Sequence, residues 1–267
     1  MSQKNGRTAQ AGFTLLELMV VLLILSVIIG AVFQQMNVAQ QRLSTEEIKL
    51  DDFQQARDFV DQFFRDINQI GTPNARMFDD SQVASFVPTL ALRSVTNTWS
   101  YQYINDNRFA VGLVYIDANE IRFEGSVNGT GTVQSVIYKI NGSGGCQYCM
   151  MRSQVDKAYN VDPLTGPTPN WGTEVNDIIS TPIFRYFQYD GTEITTASSP
   201  LSLPAGISTS AGAQALANVK TIQINLTIRN PQVLDKKTGQ PIETSFEGEI
   251  SLNNCSLAAS SQPMSCF

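Results

Sequence analysis

The feature that most constrains this chain is an almost unbroken apolar run, Leu18–Phe33, set close to the N-terminus behind a polar leader. Met1 to Gly12 are polar and carry Lys4 and Arg7 with no acid. Phe13-Thr14-Leu15-Leu16-Glu17 then leads into the run. Phe13 to Phe33 is 21 residues, about 30 Å of helix at roughly 1.5 Å per residue, enough to cross a bilayer. The basic leader stays on the cytoplasmic side, so everything beyond Phe33 faces outward. A cleaved secretory signal would want small residues at −3 and −1 after the apolar core, and Ile29-Gly30-Ala31 fits that badly. A plain anchor explains the hydrophobicity but not Glu17. A carboxylate costs about 2.5–3.5 kcal/mol at the bilayer centre, less near an interface, and is by default functional.

Composition removes several classes of function. The chain has no His, which excludes Ser-His-Asp and Cys-His catalysis and His-ligated metal. Net charge −6 and a pI near 4.7 argue against a nucleic-acid surface, which needs clustered Lys and Arg. Lys236-Lys237 is the one adjacent basic pair and reads as a solvated turn.

Beyond the apolar run the helix continues. From Gln34 to Ile70 there is no Pro or Gly, and strong helix formers dominate. Met36, Leu43, Leu50, Phe53, Ala56, Val60, Phe63, Ile67 and Ile70 are spaced by sevens, threes and fours and form one stripe. Glu46, Glu47, Asp51, Asp52, Asp58, Asp61 and Asp66 are expected on the solvated face. Gly71-Thr72-Pro73 stops the helix, giving about 58 residues, on the order of 85–90 Å. Past Pro73 the period changes to two. Strands are expected at Thr89–Val95, Phe109–Ile116, Glu120–Glu124, Val133–Ile140, Pro182–Tyr189, Val219–Arg229 and Glu243–Leu252. Asp117-Ala118-Asn119, Asn128-Gly129 and Lys237-Thr238-Gly239 read as hairpin turns. Residues 160–174 and 196–214, rich in small and turn-forming residues, read as long loops. The fold class is α+β, with the helix's apolar stripe packed on the apolar face of an antiparallel sheet.

Gly12-Phe13-Thr14-Leu15-Leu16-Glu17, ahead of an apolar helix, resembles the class III signal of type IV pilins and type II secretion pseudopilins. In that family a membrane aspartic peptidase cuts after the Gly and methylates the new N-terminus. The resemblance implies that Gly12 ends a cleaved leader (1–12), that Phe13 is methylated, and that Glu17 is an assembly carboxylate. A lone buried Glu needs a partner, and there is no Lys or Arg between Arg7 and Arg42. The amine created at Phe13, above all that of a neighbouring subunit, is the nearest cation; pairing would offset desolvation and fix axial register.

Further stretches resemble PilW-type minor pilins and J-type minor pseudopilins. They are Arg65-Asp66-Ile67-Asn68-Gln69-Ile70-Gly71, the aromatic strand Phe184–Tyr189 ending in Asp190-Gly191, and the closing pair Lys220–Arg229 and Thr244–Asn253. The chain departs from many major pilins in carrying Gln34 where they have a helix-kinking Pro. The resemblance implies a pilin-like fold: leader 1–12, helix 13–72 with its membrane segment at 13–33, and an extracytoplasmic β-rich domain 73–267. It implies a structural subunit, not an enzyme, with no cofactor. Its expected partners are other pilin or pseudopilin subunits, the prepilin peptidase, the inner membrane and the pilus or secretion assembly platform, with no nucleic acid. It would sit in the inner membrane with its globular domain in the periplasm, then in a pilus or pseudopilus at the cell surface.

The remaining constellations are weaker. Cys146-Gln147-Tyr148-Cys149 has the CxxC spacing of thiol oxidoreductases and of half a zinc site. With Cys255 and Cys266 it makes four cysteines, which allow three disulfide connectivities. Structural disulfides are expected, Cys146–Cys149 and Cys255–Cys266, the second stapling the C-terminal loop as pilins often do; a membrane-anchored thiol-disulfide protein is the alternative. Gly125–Gly131 lacks the Lys-Ser/Thr and the helix of a phosphate loop and reads as a hairpin connection. Asp117, Asn119 and Glu120, like Asp79 and Asp80, offer calcium-type oxygens without the EF-hand order.

Overall fold

The computed structural model describes residues 14–73, 107–142, 148–159, 161–198, 201–207, 209–234 and 238–252. The expected strand Thr89–Val95 lies outside them. The chain divides into two compact units, residues 1–50 and 51–267. Helix α1, Leu15–Asn68, contributes to both. In the first unit its residues from Thr14 to Ser44 are all exposed. Its most apolar stretch has a mean hydropathy of 2.9 with none of it buried, so by length and composition it can cross a membrane.

In the second unit the helix gains a buried side. Ala56, Phe59, Phe63, Ile67 and then Ile70 are 0–2 % exposed and follow the helical repeat. Phe59 joins the stripe one turn below Phe63, with Val60 half-buried against the same core, while Leu43 and Leu50 in the expected stripe are exposed. Asp66 departs further from expectation, being 1 % exposed on what was read as the wet face. The helix ends where Gly71 turns to φ 72°, and the Gly71 N–H donates to the Glu124 carbonyl at 2.9 Å. Ile70 bridges Gly125. A Cβ on Gly125 would collide with the Gln69 carbonyl, so only glycine lets the helix end approach the strand this closely.

Among the described residues, two antiparallel sheets take the place of the single expected one. The first has six strands: β1 Leu113–Asp117, β2 Glu120–Gly125, β3 Gln134–Asn141, β4 Cys149–Asp156, β5 Trp171–Val175 and β8 Ala205–Gly206, in the order β5-β4-β3-β2-β1-β8. The second contains β6 Phe184–Phe187, β7 Glu193–Ile194, β9 Thr221–Leu234 and β10 Pro241–Ser251, ordered β10-β9-β6-β7. The strict alternation of Thr221–Ile228 buries Ile222, Ile224, Leu226 and Ile228 on one side, as the period predicts. The segment between β5 and β6 stitches the sheets together. Ile178 N–H donates to the Tyr148 carbonyl (3.0 Å), Ile179 N–H to Thr227 (2.8 Å), and Arg229 N–H to the Asp177 carbonyl (2.9 Å). Helix residues Ala56–Ile70 and apolar residues of both sheets form one core cluster.

The two expected loops need correction. Residues 160–174 contain most of β5, which forms by pairing with β4, itself absent from the sequence reading. Neither strand alternates cleanly, and backbone pairing organises them. Residues 196–214 contain β8 and the start of helix α2, Ser210–Asn218. Thr209 caps α2, its hydroxyl accepting from Gly212 N–H at 3.0 Å, and Ala215, Leu216 and Ala217 are buried.

Candidate functional site

The N-terminal site is built around the first turn of α1. Thr14 is its N-cap. The Thr14 carbonyl accepts from Leu18 N–H at 3.2 Å and from Glu17 N–H at 3.1 Å, while its Oγ1 accepts from the same Glu17 N–H at 3.3 Å. Glu17 therefore occupies the third helical position, where a negative charge suits the helix dipole. Its carboxylate has no hydrogen-bond or ion-pair partner among the described residues. Leu15, Leu16 and Leu18 around it are 79, 74 and 55 % exposed. The site is thus one acid on an apolar surface, and a counter-charge must come from elsewhere. Gly12 and Phe13 lie outside the described residues.

The cysteine and calcium candidates resolve differently. Cys149 opens β4, buried at 1 %, and no cysteine among the described residues is a free thiol; Cys146, Cys255 and Cys266 lie outside them. A redox CxxC draws its reactivity from a helix N-terminus, whereas Cys149 begins a strand. In the β1–β2 turn, Asp117 Oδ1 accepts from Ala118 N–H at 2.8 Å, and the Glu120 carboxylate is paired with Arg122 and Lys139. Asn119 Oδ1 is left buried without a partner, far short of the six to eight oxygens calcium takes. Asp79 and Asp80 lie outside the described residues, among which no group of three acidic or thiol side chains could hold a metal. Gly125–Gly131 joins β2 to β3, a hairpin connection as read.

Two buried polar nodes went unseen in the sequence. Asp66 Oδ2 accepts from Tyr138 OH (2.6 Å) and from Arg152 Nη2 (2.7 Å) and Nε (2.9 Å); its Oδ1 accepts from Gln62 Nε2 (2.6 Å). Burial, reinforced by the Asp66 charge, pushes the Tyr138 hydroxyl well above its ordinary pKa. In the second node Lys157 Nζ donates to Glu124 Oε2 at 2.7 Å and to the Phe109 carbonyl at 2.9 Å, while Val111 N–H donates to the same carboxylate oxygen. Burial raises the Glu124 carboxyl even against the Lys157 charge. Both nodes are internally satisfied and tie elements together, and the first reaches a groove through Gln62. A groove of about 1160 Å³ runs between α1 and β5, lined by Asp51, Asp58, Asp61, Gln62, Arg65 and Glu174 among others. It holds no nucleophile beside a base, so no catalytic set is assembled there.

Residues 7–33 match the family model described as the prokaryotic N-terminal methylation motif. No curated protein and no solved structure matches the chain. The motif supports a prepilin-type signal and indicates a protein of the pilin or pseudopilin type. Such a protein is processed by the prepilin peptidase and assembles with other pilins, and the apolar helix α1 fits a membrane-anchored one.

Proposed function

We propose that the chain is a minor pilin, a structural subunit that helps initiate, prime or cap assembly of a type IV pilus. The observation that carries this reading is Glu17, a carboxylate without a partner among the described residues, in an apolar helix and inside a matched methylation motif. In this reading residues 1–12 are the leader and the peptidase cuts between Gly12 and Phe13. Phe13 is then methylated, and its amine pairs with Glu17 of a neighbouring subunit. Residues 13–72 form the helix, anchored in the inner membrane by about 13–33, and residues 73–267 form the periplasmic domain that later reaches the cell surface. Cys146–Cys149 and Cys255–Cys266 are the disulfides; the absence of a free thiol at Cys149 supports the first. The Arg65–Gly71 stretch suits a J-type minor pseudopilin of type II secretion equally well, and the neighbouring genes, pilus or secretion, separate the two.

Cleavage tests the processing step. Gly12→Val should leave a precursor about twelve residues heavier on an immunoblot, because a branched residue blocks an extended chain in a tight site; normal processing would sink the class III reading. Glu17→Ala should be cleaved and remain stable in the membrane, yet crosslink poorly to neighbouring subunits through its N-terminal region. Unchanged crosslinking and unchanged filament number would deny Glu17 an assembly role.

A further inference from the structure

We infer that the outer edge of β10 is a docking edge for an extended basic strand of a different protein chain, which adds itself to the four-stranded sheet. β10 stands at one end of the order β10-β9-β6-β7, so no described strand pairs with its far side. At 11 residues it is about twice the usual length of a strand. Past its first step, Pro241 to Ile242, its pairing with β9 runs without a register shift to Ser251. Proteins blunt an edge this long with bulges, prolines or a covering segment, because unpaired N–H and C=O groups recruit strands. In β10 the proline and the bulge both sit at the first residue and leave the rest of the edge regular.

The register decides which groups the edge offers. On its other side β9 bonds through odd-numbered residues: Asn225 N–H donates to the Ile183 carbonyl (2.8 Å) and Arg229 N–H to the Asp177 carbonyl (2.9 Å). Backbone groups alternate sides along an antiparallel strand, so the even residues of β9 bond β10. Leu252 N–H, donating to the Lys220 carbonyl at 2.8 Å, continues the same even set. Their β10 partners are Ile242, Thr244, Phe246, Gly248 and Ile250. That leaves the N–H and C=O of Glu243, Ser245, Glu247, Glu249 and Ser251 directed outward. The side chains of these residues are exposed, while the alternating set is half-buried. Glu243 pairs with Arg229 at 2.7 Å. Glu247 and Glu249 stand opposite the neutral Asn225 and Gln223 and make no ion pair or hydrogen bond among the described residues. Arg185, which feels the Glu247 charge, is held bidentately by Glu193. An incoming strand therefore meets unneutralised carboxylates on its wet side. On the other side it meets Phe246 and Ile250, partly buried against the core, and the Phe53 ring of α1, 45 % exposed and 5.0 Å from that of Phe246. The segment that fits alternates Lys or Arg with apolar residues, the basic set facing Glu247 and Glu249. A second copy does not fit, since two β10 edges paired antiparallel bring glutamate against glutamate.

The full chain in mild detergent is titrated with a short fluorescent peptide of alternating Lys and Val, followed by anisotropy and by hydrogen exchange at the β10 amides. In the free chain the amides of Thr244, Phe246, Gly248 and Ile250 should exchange slowly and those of Ser245, Glu247 and Glu249 fast. The peptide should protect the second set. Glu247→Gln together with Glu249→Gln should weaken binding roughly fivefold, the worth of two cross-strand charge pairs. Glu247→Lys with Glu249→Lys should abolish it and accept instead a peptide carrying Glu in place of Lys. Ser245→Pro deletes an outward N–H and leaves the β9 ladder whole, giving up an exposed hydroxyl contact with Thr227. It should weaken binding roughly tenfold while the even amides stay protected. Absence of binding overturns the inference, as does binding that survives Ser245→Pro and leaves the odd amides fast. Odd amides already slow in the free chain overturn it too, because the edge would then be covered from within. So does self-association in sedimentation that Ser245→Pro abolishes, which would make the occupant a second copy.

Discussion

Asp66, near the end of α1, and Arg152, in the middle of β4, lie 86 residues apart in sequence and meet through two hydrogen bonds to one carboxylate oxygen, at 2.7 and 2.9 Å. Their side chains are 1 and 14 % exposed, and Tyr138 OH completes the node from the neighbouring strand. The node ties the helix to the six-stranded sheet at a point where apolar contacts alone would allow sliding. Asp66→Ala strands the Arg152 guanidinium and should cost about 3–5 kcal/mol of stability. The double variant Asp66→Ala, Arg152→Met should recover most of that. Urea unfolding of the full chain in mild detergent measures both; a double variant no better than the single one would show that charge is not the issue.

The Glu124–Lys157 pair gives a pH-dependent version of the same experiment. Glu124 is pushed above its ordinary value of 4.5 by burial, so the folded state holds its proton more tightly than the unfolded one. Its ionised form therefore weighs against folding, and stability is gained as pH falls through the raised pKa toward 4.5. Lys157→Met removes the cation that offsets this cost and should lose about 3–5 kcal/mol at pH 7. The deficit should shrink as pH is lowered from 7 to 5, because Glu124 can then become neutral. Glu124→Gln, which leaves Lys157 charged, should show no such narrowing. Thermal unfolding across that range distinguishes them.

Gly125→Ala is expected to be among the most damaging single-methyl changes in the described structure. The added Cβ meets the Gln69 carbonyl, a backbone atom with no rotamer to retreat into. The helix end must move away from β2, breaking the Gly71–Glu124 hydrogen bond. A loss of about 1–3 kcal/mol, the range for overpacking, should appear in denaturant unfolding. Gly129→Ala has open space around it and loses only the ease of a positive φ, so it should cost less.

Arg185 and Glu193 join β6 to the short β7 through a bidentate pair at 2.6 and 2.8 Å. The hydrogen bonds from Arg185 hold the Glu193 carboxyl below its ordinary value of 4.5. A depressed carboxylate contributes stability above the unfolded value and loses it as pH falls through the folded one, so this pair should matter at pH 6 and fade as the pH drops below 4.5. Both side chains are partly exposed, which limits the effect to ~0.5 kcal/mol, reduced further by salt. Comparing wild type with Glu193→Gln at pH 6 and pH 3.5 should show a small gap that closes in acid.

The sequence by itself determined the parts of this protein whose physics is local. An apolar run of membrane length, the acid within it, the Gly that ends the helix, the buried side of Thr221–Ile228 and the β1–β2 and β2–β3 turns follow from spacing and turn chemistry along a short stretch of chain. Only the tertiary structure decided that there are two sheets, because the crossover at Asp177–Ser180 depends on hydrogen bonds to Tyr148 and to β9, both distant in sequence. It also decided the fate of Asp66. Helical period assigns a residue to a face, and an acid among acids reads as solvated until an arginine from another element arrives to meet it. Met150-Met151-Arg152-Ser153-Gln154 hid β4 for the same reason, since its polar side chains serve the Asp66 node and the neighbouring glutamines instead of alternating with water. At the N-terminus the division runs through a single turn. The identity and spacing of Gly12, Phe13 and Glu17 are written in the chain, whereas the helix start at Thr14 is a matter of which hydrogen bonds close, and that is decided by three-dimensional geometry.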